Sequence, residues 1–412
     1  MIDLKRCKEE YAELLVMGGI CLKPGERVMI NADVSTAEMA EIVARVCYEH
    51  GASIVDVHWS DAKLESLHYA FASLGELKKV EKWEEERMAL QAEQLPCKIC
   101  LMSSEPQDYT PEMEARKQES DKAKLPIILK YREQMQDKFK WTVGGVPTQA
   151  WADQVFPGEE NNLMHLWEDV LTTVLVNGDG TAVKKWEAKW QKAWNRMDAL
   201  NALNLRTLHM KTGLGTDLTV ELHPQGEFHA GAYRDAGYAA NLPSEELYTS
   251  PMAGKAEGRL VASCPFIYQD HYVEGLKLTF EKGKVTEVKA DKGEAFFKNL
   301  VQMDEGASMI GEVAIVDKNS PIGKLGHLMY HTLYDENAAC HVAVGRGFPF
   351  ILKNFAEMSD EERMHSGLNH SGIHCDIMYG TDDTEIMGVT ADGRKVKIME
   401  NGVWCIDMIE SV

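Results

Sequence analysis

Apolar positions recur at helical spacing over residues 3 to 18. They give way to a strand-like run in "RVMINAD", a second helical stretch from about 36 to 50, and another strand in "ASIVDVHW". This order predicts a βαβ unit and a parallel sheet. Ser35-Thr36-Ala37-Glu38 has capping-box spacing at the start of the second helix, and Gly51 is placed to end it. Further helices are predicted near 61 to 93 and 112 to 136. They are separated by a short apolar run around 98 to 102 and followed by a strand in "KWTVGGVP". In the next helical stretch Trp186, Trp190 and Trp194 fall at intervals of four, an apolar stripe suited to a core or to a dimer contact.

After about residue 200 the period shortens to two. "TDLTVELHP", "GRLVASCPF", "LKLTFEKGKVTEVKA" and "GRKVKIMENGVW" alternate between Gly-containing turns and predict antiparallel strands. The expected architecture is an α/β N-terminal layer with a parallel sheet, residues 1–199. A mixed α+β C-terminal domain rich in antiparallel strands follows, residues 200–412. The boundary falls near 196 to 203, where nothing is linker-like, and neither repeats nor low-complexity segments interrupt the chain.

Charge narrows the function. Forty-four basic against 65 acidic residues give a net charge of -21, which repels phosphate backbones and anionic lipid and attracts cations, including the amino end of a peptide. Neither nucleic acid nor a membrane is an expected partner. The nine cysteines are odd in number and irregularly placed, which fits a reduced, cytoplasmic setting. Cys97 and Cys100 have CxxC spacing, but they lie in an apolar strand with no second pair, so a packing role is expected. The N-terminal stretch mixes charges where a secretory signal would be apolar, and no run of 18 apolar residues suggests a membrane span.

"SGIHCDIMYG" carries the first sign of chemistry. Strand alternation turns His374 and Asp376 to one face and Cys375, Ile377 and Tyr379 to the other. Glu246, Glu312, Glu336 and His341 are likewise embedded in apolar sequence. Burying such groups costs several kcal/mol per charge unless they are paired or coordinated, and a divalent cation supplies the missing charge. The residues alone leave local explanations open: a buried His–Asp hydrogen bond, a strand-end carboxylate at Glu312, or a helix-start carboxylate at Glu246.

"NLPSEELYTSP", "GEVAIVDKNSPI", "LYDENAACHVAVG" and "SGIHCDIMYG", in that order, resemble segments of the aminopeptidase T, aminopeptidase S and PepS family of metallopeptidases, as do "TGLGTDLTVELHP" and "VPTQAWAD". The resemblance implies a two-metal exopeptidase in which Glu246, Glu312, His341, His374 and Asp376 match metal-binding positions. Glu312 would bridge, Glu246 would be its paired glutamate, and Glu336 would orient groups or handle protons. It further implies two divalent ions per chain (Zn, Co or Mn), an activated bridging water, a short peptide substrate with a free N-terminus, and a homodimer.

Two positions depart from the family. Phe348 stands where the family usually has tyrosine, and losing one oxyanion donor typically costs on the order of 10² to 10³ in rate. Arg346, Tyr330, Tyr379 and His331 are the candidate replacements, and His331 itself stands in place of the usual asparagine. His365 and His370 are expected in loops. The departures keep two alternatives: a mononuclear-metal enzyme acting on aromatic rings, as dioxygenase or aromatic aminohydrolase, and a catalytically impaired homologue whose metal only supports the fold.

Overall fold

The computed structural model describes residues 2–104, 109–135, 138–269 and 271–406. The chain divides into two compact units, Met1–Glu187 with Ala232–Leu242, and Ala188–Gly231 with Pro243–Val412.

The first unit is built on parallel strands β1 (Arg27–Asp33), β2 (Ile54–Ser60), β3 (Cys97–Met102) and β4 (Trp141–Gly145). Their order is β2-β1-β3-β4, and the short strand Asn241–Leu242 extends the sheet beyond β4. In β1, Val28, Ile30 and Ala32 are buried and alternate with Met29 and Asn31, so one face is firmly packed. The helices Leu4–Glu13 and Ala37–Glu49 supply buried apolar stripes to this unit. The first helix runs on as a π-helical turn through Leu14–Gly19. Its Tyr11 hydroxyl donates to the carbonyl of Gly145 at 3.1 Å.

Several local expectations change. The Ser35 capping box does not form, because the Asp33 carboxylate reaches the Ser35 amide first, at 2.9 Å, and a 3-10 turn over Val34–Thr36 precedes the α-helix. The stretch near 61 to 93 folds as three helices, Ala62–Phe71, Leu74–Leu77 and Lys82–Gln94, opened by Asp61, Ser73 and Glu81. The next helix spans Pro111–Met135, and residue 136 lies outside the described residues. The tryptophan stripe is largely interior. Trp186 is buried and donates to the Val174 carbonyl at 2.7 Å, Trp190 is buried, and Trp194 packs on the core of the second unit.

The second unit contains two large antiparallel sheets and the two-stranded pair Phe266–Tyr268 and His271–Val273. Eight strands form the larger, including Asp217–Leu222, Pro251–Val261, Lys277–Glu281, Lys284–Lys289 and Lys395–Glu400. The smaller sheet places His374–Met378, His341–Gly345, Ile310–Val316, Glu246–Thr249 and His229–Ala230 side by side in that order. Its Leu247, Val313, Ile315, Val342, Val344, Cys375 and Ile377 belong to the same core as Leu208, Val220, Leu260 and Leu278 of the larger sheet. That packing fixes one face of the smaller sheet and so fixes what the other face presents.

Among the described residues no helix is long and apolar enough to cross a membrane.

Candidate metal centre

The register of the smaller sheet assembles the centre. Glu312 lies opposite Ala343, which lies opposite Asp376. Ala314 lies opposite His341, and Glu246 opposite Val316. By alternation Glu246, Glu312, His341, His374 and Asp376 share the face turned away from the apolar core. The small residues Ala314 and Ala343 stand between them and leave room. Two glycines make the strand ends fit: a Cβ at Gly311 would meet the carbonyl oxygens of Gly345 and Arg346 at 2.3 and 2.4 Å, and Gly345 has φ +104°. The buried Asn369 side chain donates to the carbonyls of Gly306 and Gly345 at 2.8 and 2.5 Å, tying these turns together.

The five side chains form two overlapping triads. Glu246, Glu312 and His341 make one, Glu312, His374 and Asp376 the other, and within each the ligand atoms lie within 4.8 Å of one another. Glu246 is 8%, Glu312 5% and His341 1% exposed, so none of the first triad reads as surface. His341 Nε2 lies 3.2 Å from Glu246 Oε2, and His374 Nε2 lies 3.0 Å from Glu312 Oε2 and 3.4 Å from Asp376 Oδ1. Glu246 Oε2 and Asp376 Oδ1 make no hydrogen bond among the described residues, so these contacts bring charge together without satisfying either oxygen.

Both imidazoles are held from behind. Nδ1 of His374 donates to the Arg346 carbonyl at 2.7 Å, and Nδ1 of His341 to the Ala339 carbonyl at 3.2 Å. Each Nε2 is thereby turned toward the carboxylates, the arrangement in which a histidine offers a lone pair to a cation. With no cation, burial disfavours each imidazolium, but the surrounding carboxylates prevail. They raise His341 to about 10 and push His374 well above its ordinary value. Burial and neighbouring carboxylates raise Glu312, although the His374 hydrogen bond opposes this. Burial also works against ionised Asp376, but attraction to His374 and His341 holds it below the usual range. Two imidazoles facing three carboxylates, with two oxygens unsatisfied, form a donor set that fits divalent cations of intermediate hardness.

Glu336 belongs to the same neighbourhood. It opens a 3-10 turn over Glu336–Ala338, and burial together with Asp376, Glu246 and Glu312 raises its carboxyl well above the ordinary range. Asn337, fully buried, anchors the turn: its Oδ1 accepts the Glu245 amide at 2.7 Å, and its Nδ2 donates to the Leu333 carbonyl at 3.1 Å and to Glu336 at 3.4 Å. One side chain thus fixes both the start of the Glu246 strand and Glu336. No periodicity marks an asparagine for this role.

The other named residues fall around or away from the centre. The Phe348 ring lies 5.0 Å from the His374 ring, in a cluster with Tyr248 and Phe350 that the sequence did not single out. Tyr379 is buried in the core on the opposite face, and the Arg346 side chain is exposed. His331 caps the helix Thr332–Asp335, its Nδ1 accepting the Leu333 amide at 3.2 Å, and burial lowers it to about 4. Tyr330 is half-buried at a left-handed backbone position, φ +56°. His365 ends the helix Asp360–Met364, and His370 lies in the following loop.

A family model described as thermophilic metalloprotease (M29) matches residues 5–404. Aminopeptidase AmpS of Bacillus subtilis (strain 168) is 35% identical over 402 residues, covering 96% of this chain and 97% of that protein. Aminopeptidase PepS of Streptococcus thermophilus is 32% identical over 414 residues, 98% of this chain and 99% of the other. The solved structure of wild-type AmpT from Thermus thermophilus superposes with a TM-score of 0.86 at 31% identity, covering 97% of this chain and 99% of that one.

Proposed function

Because the chain belongs to the M29 family of thermophilic metalloproteases and is on that ground a metallo-aminopeptidase, we propose that it removes N-terminal residues from short peptides at a dinuclear centre formed by Glu246, Glu312, His341, His374 and Asp376. The observation that carries this reading is the pair of triads sharing Glu312, with both imidazoles oriented by backbone carbonyls. Glu246 and His341 would hold one ion, His374 and Asp376 the other, and Glu312 both. When bound, two divalent ions, Zn, Co or Mn, supply Lewis acidity toward the scissile carbonyl and acidify a water between them.

The chain's own residues do the rest. Glu336 sits on a turn beside the His374–Met378 strand and feels the charges of Asp376, Glu246 and Glu312, which supports a role in taking a proton from the attacking water and returning it to the leaving amine. The surplus of carboxylates favours the positively charged α-amine of a free N-terminus over a blocked one. The apolar wall of Tyr248, Phe348 and Phe350 excludes water from one side of His374. A cytoplasmic, homodimeric enzyme completes the proposal.

Metal analysis combined with turnover tests it. The chain should carry two ions and release leucine from a leucyl peptide, and Glu312→Gln should lose metal from both positions and at least about 10³ in rate. One tightly held iron with cleavage of an aromatic ring would favour the mononuclear alternative. Two ions with no turnover on peptides would leave a scaffold.

A further inference from the structure

The first unit holds a crevice of ≈ 640 Å³. In the order β2-β1-β3-β4 the chain builds outward from β1 in both directions, so the sheet reverses between β1 and β3. In open parallel sheets the carboxyl ends at such a reversal are where small ligands bind. Asn31 to Asp33 at the end of β1, and Cys100 to Met102 at the end of β3 with Ser103 just beyond, line the crevice. The helix Lys82–Gln94 lies along it and buries none of its residues, so the space is left unfilled.

Three basic side chains face this space from three elements. Arg87 comes from the helix, Lys98 from β3 and His58 from β2, with Lys98 opposite Met29 and His58 opposite Asn31. Burial and the charges of Arg87 and Lys98 lower His58, while Asp56 opposes them, which places the three groups within electrostatic reach. Among the described residues neither Arg87 nor Lys98 is ion-paired with a carboxylate, although the chain has 65 acidic residues. The nearby acids are held by other donors, and one of them, Asp33, lines the crevice itself. Asp33 accepts the Ser35 and Ala62 amides at 2.9 and 3.2 Å, and Asp56 pairs with Arg27 at 3.3 Å. Trp59 and Met102, both nearly half exposed, and Met88 give the crevice an apolar wall.

We propose that this crevice is a second ligand site that takes a small organic anion, its phosphate or carboxylate held by Arg87, Lys98 and His58 and its apolar or aromatic body against Trp59, Met88 and Met102. The neighbouring helix start contributes little, because Asp33 already occupies the Ser35 amide. Recognition therefore rests on side-chain charge and weakens with salt.

Calorimetry on the metal-loaded full chain, using the anions adenosine 5′-monophosphate, 3-phenylpropionate and inorganic phosphate, with adenosine as the uncharged control, tests the site. At least one anion should saturate with Kd below about 1 mM. Arg87→Gln and Lys98→Gln should each weaken that binding by about tenfold or more. Both variants should keep the parent thermal midpoint and peptide turnover. Tighter binding of the nucleotide than of 3-phenylpropionate, with adenosine itself failing, assigns a phosphate ligand, and the reverse order assigns a carboxylate. Absence of saturation by all three at about 10 mM, or binding that both variants retain in full, overturns the proposal.

Discussion

Two side chains at the rim of the centre decide more than their number suggests. The Phe348 ring lies 5.0 Å from the His374 ring, where the resemblance to the family places a phenol. A phenyl group cannot donate to a developing oxyanion. Phe348→Tyr should raise kcat by about tenfold or more while KM and metal content stay unchanged. An unchanged kcat in the fully loaded variant would mean that another donor already serves. Asn337 acts differently, through the backbone. Asn337→Leu keeps the volume but strands the Glu245 amide and the Leu333 carbonyl, both held by this side chain. It should lower unfolding stability by about 1–3 kcal/mol in denaturant titrations, because a buried group left unpaired bears its full desolvation cost. A variant as stable as the parent would show that the turn is held by other contacts.

Strands account for both what could be read from the sequence and what could not. His374 and Asp376 were legible as a convergent pair because alternation is fixed within one strand. Glu246, Glu312 and His341 were legible as misfits in apolar runs. Which strand lies beside which was not, since register depends on contacts distant in sequence and on the irregularity at Gly311, where Ile310 pairs with Val344 but Glu312 pairs with Ala343. Capping failed at Ser35 for a related reason, because a carboxylate at the end of β1 competed for the same amide. Register in turn makes Ala343 a sensitive position, flanked across the sheet by Glu312 on one side and Asp376 on the other. Ala343→Leu would put a side chain into the space between the two carboxylates while leaving Val342 and Val344 in the core. Bound metal per chain should fall below half that of the parent, with the far-ultraviolet circular dichroism unchanged. Full metal content in this variant would place the ions elsewhere.

At the scale of the whole chain, every residue of the centre belongs to the second unit, so removing the metal should act there and leave the first unit untouched. In the metal-free chain His341 is held protonated up to about 10 by Glu246 and its acidic neighbours, against about 6.5 for a free imidazole. A raised value in the folded state means that the protonated ring stabilises the fold fully below about pH 6.5 and ceases to do so as pH climbs toward 10. Glu312 and Glu336, also raised, push in the same direction. The chelated protein should therefore lose stability steadily between pH 6.5 and 10. The loaded protein should not, because the His341 lone pair would be committed to a cation and no proton remains to be lost. At a metal concentration about 1,000 times Kd, binding adds about 4 kcal/mol. Hydrogen exchange locates the effect: chelation at pH 9 should speed exchange in peptides spanning 246–261, 310–316, 341–345 and 374–378 and leave 27–33 and 97–102 unaltered. Equal acceleration in both sets, or a chelated protein whose stability does not depend on pH over that interval, would show that these histidines and carboxylates do not form the centre that holds the metal.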